Sequence, residues 1–376
     1  MGWPVVHATG GPRERGRAYG AAARERVHRS IELYEAVFRS YTGLPWDEVR
    51  GRTGPFIEPI DRYDAQLLPE IEGIAQGAGV DAEDVLALNQ RTEIMFGLDA
   101  RAARRATREC TALCAAPSGS IDGHILHAQN WDWKPGARDT CVLLVEAPHD
   151  RPAFVTLVEA GLLAKCGMNE ARIALTANAL TSSRDRGEAG VPFHAILRAI
   201  LTSATHGEAT AAVSRAWRAS SANYLISSGG GAAVNLEVGP GGPETVFATT
   251  EPALAHANHF LWPDRPFKDL GRIDGGDSLR RQATAEAALR ERADVETVAG
   301  VLRDHEGRPS SVCAHEEEGV APEDDYVTVA SLIMRPDDGE LLLTRGNPCE
   351  TDYDRLGLDE LVATARAASS PQHDAG

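Results

Sequence analysis

The stretch Cys110–Trp133, CTALCAAPSGSIDGHILHAQNWDW, predicts two strands joined by a turn. Its ends, CTALCAAP and HILHAQNW, are separated by Pro, Ser, Gly and Asp residues that favour turns. Because side chains alternate along a strand, Asn130 and Asp132 should share one face, with Trp131 anchored in the core on the other. The alternative role for Asp132, which is close to Pro135, is to form hydrogen bonds with the backbone of a turn. The stretch therefore predicts a sheet that starts at Cys110.

The flanking sequence predicts helices before this stretch and a mixture of strands and helix pairs after it. Apolar spacing predicts helices at 13–41 and 79–98, and Asp81 followed by Asp84 indicates an N-cap for the second. Residues 99–109 read as a polar, Arg-rich linker. Further strands are predicted at 141–148, 153–161, 172–180, 223–228, 232–240, 244–250, 325–334 and 340–346, and helices at 193–204, 207–219, 277–291 and 294–304. This order favours an α+β fold, an αββα sandwich of two packed antiparallel sheets flanked by helices, over a doubly wound parallel sheet.

Cys110 is a candidate nucleophile because of its position in this pattern. A cysteine that opens a strand is commonly no more than a small buried apolar residue. Here the polar linker ends at Glu109, so cleavage of the Glu109–Cys110 bond would give Cys110 both a thiol and a free α-amine. An α-amine has an ordinary pKa of roughly 7.7 to 8.0, which lets it take the thiol proton as a general base. An N-terminal amine acts as the base in one established type of nucleophilic catalysis.

The segment HANHF at 256–260 supplies a second candidate, Asn258. A preorganised asparagine N–H that points at a developing oxyanion contributes about 3 to 4 kcal/mol to catalysis. The alternative for a loop asparagine is a plain turn-forming role.

A metal centre is the competing interpretation of the histidines. His124 with His127, and His256 with His259, have spacings found among metal ligands, and Asp132 could add a carboxylate. However, His124 and His127 would point to opposite faces of a strand, and the sequence contains neither His-Glu-x-x-His nor Cys-x-x-Cys. We therefore predict no metal ligands and retain a metal-dependent hydrolase only as an alternative.

Composition excludes several classes of partner. The formal net charge of −17 argues against binding to nucleic acid or to an anionic membrane surface, since both need basic patches. No apolar run approaches the length of a membrane span, and the N-terminal residues do not resemble a secretory signal. Six cysteines in 376 residues are too sparse for a disulfide scaffold. We expect a cytoplasmic protein.

Several motifs resemble those of the acyl-coenzyme A:6-aminopenicillanic acid acyltransferase (isopenicillin N acyltransferase) family of autoproteolytic N-terminal-nucleophile hydrolases. The central match is Cys-Thr at 110–111 followed by Gln-Asn-Trp-Asp at 129–132. Other segments follow in the family's order: GGPRERGRAYG, LALNQRTEIMFGL, EAGLLAKCGMNEARIALTANAL, GVPFHAILRAIL, HANHFL and PSSVCAHEEEG. Each segment is weak alone, but their collinear order is specific and extends along most of the chain.

The resemblance implies an αββα N-terminal-nucleophile fold and a role for four residues. Cys110 would cut the peptide bond before it and then serve as the mature nucleophile, and Thr111 would help to position the cleavage site. Asp132 would support the N-terminal amine, and Asn258 would donate to the oxyanion.

Three further positions follow from the same resemblance. Ser311 falls on the serine of the family's late Ser-x-Cys segment, which implies a role in processing or substrate binding. Glu109 stands before the nucleophile where the fungal member has Gly, and Ala314 stands where it has Arg. The second difference implies that a carboxylate-bearing substrate is handled differently here.

These inferences predict a self-processing enzyme. Residues 1–109 would form the helical small chain, 110–367 the catalytic large chain, and 368–376 a flexible tail. Cys110 would form an acyl-enzyme from an amide or acyl thioester and pass the acyl group to an amine or water. The expected partners are a small-molecule acyl donor, an amine acceptor and the protein's own cleaved N-terminal chain, as a heterodimer. We expect no cofactor, although acyl-coenzyme A is a candidate co-substrate. An uncleaved, non-catalytic protein of this fold that binds a small acylated ligand is the alternative from another class.

Overall fold

The computed structural model describes residues 2–98, 110–272, 276–309 and 311–368. The described helices are α1 Pro12–Ala22, α2 Arg24–Thr42, α3 Trp46–Arg50, α4 Gly54–Tyr63, α5 Leu67–Ala78, α6 Ala82–Asn89, α7 Arg91–Leu98, α8 Phe193–Leu201, α9 His206–Ser214, α10 Gly276–Ala288, α11 Val295–Leu302 and α12 Leu358–Ala368. The described strands are β1 Val5–Gly10, β2 Cys110–Ala115, β3 Leu126–Trp133, β4 Cys141–Pro148, β5 Phe154–Glu159, β6 Cys166–Asn169, β7 Ile173–Ala179, β8 Ala222–Ser228, β9 Ala233–Val238, β10 Val246–Thr249, β11 Ala253–His256, β12 Val327–Arg335, β13 Glu340–Leu343 and β14 Asp354–Gly357.

The strands form two sheets, in the orders β1-β4-β5-β6-β7-β8-β9-β10 and β11-β2-β3-β12-β13-β14. Every neighbouring pair is antiparallel except β1 with β4, whose register is parallel from Val5 opposite Leu143. A parallel pair needs a long connection, which the seven helices described at residues 12–98, between β1 and β2, help to provide. The predicted pair of sheets is confirmed, with the correction that the larger sheet is mixed.

The two sheets pack face to face and carry helices on their outer sides. Between the sheets, the two ring nitrogens of His127 lie 2.7 Å from Ser227 Oγ and 2.8 Å from Thr176 Oγ1. Helices α8 and α9 pack on β7 and β8 of the larger sheet, whereas α10 and α11 cover β2, β3, β11 and β12 of the smaller one. This is the αββα sandwich that the order of elements predicts.

The N-terminal helices follow the predicted pattern with shorter pieces. The predicted 13–41 helix is interrupted at Ala23, and the predicted 79–98 helix is interrupted at Gln90. The capping box at Asp81 and Asp84 is present as expected. Helices α1 and α5 approach so closely that a Cβ on Gly20 would lie 2.1 Å from the backbone oxygen of Ile74, so only glycine fits there.

Several elements were not predicted, because they are short or lack a clear apolar period: β1, β6, β11, β14 and helices α3, α4, α5 and α12. The linker 99–109, including Glu109, lies outside the described residues, as does the tail after Ala368. Among the described residues, no helix combines the length and apolar character needed to cross a membrane.

Candidate active site

The first residue of β2, Cys110, lies buried at the meeting point of β2, β3 and the segment after β11. Cys110 is 1% exposed, and its backbone N–H donates to Asn258 Oδ1 at 3.0 Å. The antiparallel register pairs Cys110 with Trp131, so both side chains lie on the face that meets the larger sheet. The start of β2 is therefore held at its nitrogen by the side chain that the sequence predicts as oxyanion donor.

Arg281 is a site residue that the sequence reasoning missed. Its Nη1 donates to Cys110 O at 2.6 Å and to Thr111 Oγ1 at 2.9 Å. Its Nη2 donates to Asn258 Oδ1 at 2.9 Å, and Asp277 Oδ1 accepts from its Nε at 3.2 Å. Arg281 is buried and lies on the side of α10 that faces the protein interior. The signal that could have identified it is an arginine among the apolar, core-facing positions of a predicted helix.

The amide of Asn258 has a fixed orientation. A guanidinium can only donate, so the contact with Arg281 identifies the atom next to Cys110 N as the oxygen. The Nδ2 atom donates to Ala179 O at 3.0 Å, and the backbone N–H donates to Ser278 Oγ at 2.7 Å. Since Nδ2 carries two hydrogens, one can serve Ala179 while the second can serve another acceptor.

A second asparagine supports the same strand ends. Asn178 Nδ2 lies 2.6 Å from His256 O, 2.8 Å from Ala257 O and 3.4 Å from Cys110 O. Asn178 belongs to β7 of the larger sheet, so it ties β11 and β2 to the opposite sheet. Its role was not predicted, because nothing in the run RIALTANAL distinguishes a structural from a functional asparagine.

Asp132 lies one residue beyond the partner of Cys110. Because Trp131 pairs with Cys110, Asp132 lies on the face of the sheet opposite to the cysteine side chain. Its Oδ1 accepts a hydrogen bond from Thr328 Oγ1 at 2.7 Å. Asp132 thus lies next to the strand partner of Cys110, and Thr328 is its unpredicted partner.

Ser311 lies in the segment that packs under β3. Its Oγ donates to Cys313 O at 2.8 Å, which is a local backbone contact. Asn130 Nδ2 donates to Val312 O at 3.0 Å, so the segment is tied to the Asn-Trp-Asp strand. The Ser311 contact that the structure describes is with its own segment and not with Cys110.

A small cavity of about 20 Å³ lies on the Trp131 face of the site. Most of its lining is apolar or aromatic, and the residues are Arg91, Thr92, Met95, Phe96, Trp131, Trp133, Lys165, Ala179 and Phe193. Trp131 is the register partner of Cys110, and Ala179 O accepts from Asn258. The cavity therefore adjoins the candidate nucleophile through two of its walls.

Two buried cations face this cavity. Arg91 is paired with Glu159 at 2.7 Å, so its charge is matched within the protein. Lys165 is 4% exposed, and its Nζ lies 5.1 Å from the centre of the Phe193 ring and 5.7 Å from that of Trp131. Among the described residues no carboxylate is within ion-pair distance of Lys165 Nζ. The cavity therefore has a mostly apolar lining and one buried ammonium group, that of Lys165.

The four histidines of the metal alternative do not come together. His127 lies between the sheets, where burial lowers its pKa to about 3, and His124 pairs with Asp338 near the surface. His256 Nε2 lies 2.7 Å from Glu237 Oε1. Burial, with smaller contributions from His256 and Arg272, lowers the pKa of His259 to about 3. Within the described part of the chain, neither predicted histidine pair belongs to a cluster of metal-ligating groups.

Comparison with known proteins identifies a family and a relative that this chain resembles in sequence. The family model described as acyl-coenzyme A:6-aminopenicillanic acid acyl-transferase matches residues 120–349, more than half of the chain. The matched region includes Asp132, Asn258 and Ser311 and begins after Cys110. A curated relative, the 40 kDa form of acyl-coenzyme A:6-aminopenicillanic-acid-acyltransferase from Emericella nidulans, is 28% identical over 321 residues, which are 84% of this chain and 86% of the relative.

Solved structures show more distant similarity. Penicillin V acylase from Agrobacterium tumefaciens aligns with a TM-score of 0.41 and 13% identity over 67% of this chain and 87% of its own. A mutant form of conjugated bile acid hydrolase from Clostridium perfringens aligns with a TM-score of 0.41 and 12% identity over 67% of this chain and 94% of its own.

Proposed function

The chain belongs to the acyl-coenzyme A:6-aminopenicillanic acid acyl-transferase family, and from that premise we propose a self-processing enzyme with Cys110 as its nucleophile. It is an acyltransferase or amidohydrolase that acts on small acylated molecules. The observation that carries the proposal is the start of β2, where Asn258 binds the nitrogen of Cys110 and Arg281 binds its carbonyl oxygen.

Maturation begins at the bond between Glu109 and Cys110. The Cys110 thiol attacks the Glu109 carbonyl carbon, the peptide C–N bond breaks, and a thioester replaces the amide. Water then hydrolyses the thioester, which leaves a carboxylate on Glu109 and a free α-amine and thiol on Cys110. The products are a 109-residue chain and a chain of 376 − 109 = 267 residues. Asp132, next to the strand partner of Cys110, supports this step and the amine that it releases.

In the mature enzyme the α-amine of Cys110 serves as the base. One of its N–H groups donates to Asn258 Oδ1, so its lone pair is free to take the thiol proton. The nearby guanidinium of Arg281 disfavours a second positive charge, which keeps the amine in its basic form. The thiolate then attacks the acyl carbonyl, and Asn258 Nδ2 stabilises the oxyanion. The amine returns its proton to the leaving group, and an acceptor amine or water releases the acyl group from the thioester.

The small chain remains bound after cleavage, forming a heterodimer. Its residues reach deep into the large chain: Tyr34 donates to Glu159 Oε1 at 2.6 Å, and Ser220 donates to Glu93 Oε1 at 2.7 Å. Arg91 of the small chain also pairs with Glu159. Since α7 supplies part of the cavity wall, the substrate pocket needs both chains.

We infer the substrate class from the residues that line the cavity. Its aromatic and apolar lining suits the hydrophobic part of a small acylated molecule, and Lys165 suits a carboxylate on that molecule. An acyl-coenzyme A thioester and an N-acyl amino acid are both consistent with this lining as acyl donors.

Intact-mass analysis of the purified protein tests the proposal. We expect two chains whose masses sum to that of the 40.2 kDa precursor plus one water. Cys110→Ala should stay uncut and lose at least about 10³-fold in turnover, because the base and the nucleophile act as one unit. Cys114→Ala is the matched control: it is a buried cysteine of the same strand face, and burial raises the pKa of its thiol to about 12. That variant should cleave and turn over normally.

Three results would contradict the proposal. The first is an uncut wild-type chain that still turns over substrate, and the second is a Cys110→Ala variant that keeps cleavage or activity. The third is an uncut chain whose Cys110 resists an electrophilic acyl probe, which would favour a non-catalytic binder of acylated ligands.

A further inference from the structure

Four side chains with metal-binding chemistry converge beside the smaller sheet. They are His305 after α11, Cys313 and His315 in the segment before β12, and Cys349 after β13. One ligand atom from each lies within 4.8 Å of all the others. Three separate parts of the chain thus present two sulfurs and two imidazole nitrogens to one point.

Four of the six separations between the ligand atoms are close to the edges of a tetrahedron around one ion. With zinc bonds of about 2.3 Å to sulfur and 2.0 Å to nitrogen, tetrahedral edges are roughly 3.8 Å for S–S, 3.5 Å for S–N and 3.3 Å for N–N. The Cys313 and Cys349 sulfurs are 3.6 Å apart, and His315 Nε2 lies 3.5 Å and 3.3 Å from them. The Nε2 atoms of His305 and His315 are 3.0 Å apart.

The groups around the cluster resemble the outer shell of a metal site. Asn347 Nδ2 donates to Cys313 Sγ at 3.4 Å, a contact that stabilises a thiolate. The other ring nitrogen of His315 lies 3.4 Å from Glu350 Oε1, the arrangement that orients a histidine ligand and makes it more basic.

We propose that His305, Cys313, His315 and Cys349 bind one zinc ion. Two thiolates and two neutral imidazoles balance the charge of a divalent cation, and binding releases the two thiol protons to solvent. Four protein ligands close the coordination sphere, so the ion has a structural role and leaves no position for a substrate. The irregular spacing of the four ligands along the chain explains why the sequence predicted no metal.

Two consecutive hydrogen bonds connect the proposed zinc site to Asp132. Ala314, between two of the ligands, donates its N–H to Thr328 Oγ1 at 3.0 Å, and Thr328 in turn donates to Asp132 Oδ1. Asn130 also binds the carbonyl of Val312 in the same segment. Zinc bound to this segment fixes it against β3 and so positions Asp132.

Metal analysis of tag-free protein, purified from zinc-supplemented medium under reducing conditions, tests the proposal. We expect about one zinc per chain and, after exchange with cobalt, the visible bands of tetrahedral cobalt with thiolate ligands. Cys349→Ser, at an exposed ligand, should bind less than a tenth as much zinc, and chelator should lower the melting temperature of wild type but not of this variant. Cys166→Ala, outside the cluster, should retain full zinc content, and Glu350→Gln should weaken affinity by ~10-fold.

Cys110→Ala should also retain its zinc, which separates this proposal from the catalytic one. Wild-type protein without zinc that shows no cobalt bands would overturn the zinc site, even if every variant proved unstable. A Cys313–Cys349 disulfide in protein kept under reducing conditions, detected as a mass loss of about 2 Da, would overturn it as well.

Discussion

The backbone nitrogen of Cys110 lies 3.0 Å from Oδ1 of Asn258, although 147 residues separate the two in sequence. The contact joins the start of β2 to the segment that follows β11. Strand β11 itself is paired with β2 along its whole length. Because Asn258 also binds Arg281 and Ala179, the nitrogen that would become the catalytic amine has a preformed partner. In the proposed mechanism the two ends of this side chain have separate roles, with Oδ1 orienting the amine and Nδ2 stabilising the oxyanion.

Asn258→Asp tests that division. The substitution keeps an oxygen next to Cys110 and Arg281 but removes the Nδ2 donor, so we expect kcat to fall by ~10²–10³-fold while the two-chain mass pattern persists. Single-turnover measurement of acyl-enzyme formation, read by intact mass, provides the check. Acylation at the wild-type rate would show that the oxyanion is stabilised by other groups.

The buried ion cluster between the two predicted chains supports a prediction about stability. Arg15 and Glu70 belong to the first 109 residues, whereas Glu146 and Arg198 belong to the rest, and all four are 1% exposed. Arg15 Nε lies 2.8 Å from Glu70 and 2.9 Å from Glu146. Arg15→Met leaves two buried carboxylates with one cation, so we expect a loss of about 3–5 kcal/mol in free energy of unfolding.

Urea unfolding of the uncut Cys110→Ala protein gives that free energy for a single chain. The matched control is Arg13→Met on the same helix, since Arg13 pairs with Glu72 at the surface, where the two side chains are 52% and 47% exposed. That control should cost less than about 1 kcal/mol. Equal losses in the two variants would mean that the buried cluster is not what holds the chains together.

The sequence predicted those features of the site that depend on the alternation of side chains along a strand and on the turn between two strands. The alternation in HAQNWDW determines which side chains share a face, and the turn before it fixes a hairpin that pairs Cys110 with Trp131. Arg281 was missed because an arginine in a helix is normally solvated, and only the packing of α10 on β2 turns it inward. The cluster of His305, Cys313, His315 and Cys349 was not predicted for a related reason: three loops meet in space, and no spacing along the chain records that meeting.

His127 makes stability depend on pH. Burial lowers its pKa from 6.5 to about 3, so below pH 6.5 the unfolded chain takes up a proton that the folded chain does not. Stability is therefore fully present above pH 6.5 and falls on acidification, by about 2 kcal/mol from this residue between pH 6.5 and 5.0. In the Cys110→Ala background, His127→Gln should reduce the difference in unfolding free energy between pH 7.0 and 5.0 by about that amount.

The control for this pH effect is His149→Gln, because His149 is exposed and meets water in both states. It should leave the pH dependence as in the parent. An unchanged slope in His127→Gln would indicate that the histidine between the sheets is protonated in the folded protein.

Lys165 should determine selectivity for charged substrates. Its ammonium is buried against Phe193 and Trp131 at the wall of the cavity, so a substrate carboxylate that reaches it gains a charge-assisted hydrogen bond of about 1.5–3 kcal/mol. We expect Lys165→Met to raise KM for N-acyl amino acids by ~10–100-fold, with a much smaller change for the matching uncharged N-acyl amides. Lys268→Met, at an exposed position, should change neither. Steady-state kinetics on the paired substrates distinguishes the outcomes: an equal loss on both would assign Lys165 to the structure of the pocket, whereas a loss confined to the charged member assigns it to recognition of the carboxylate.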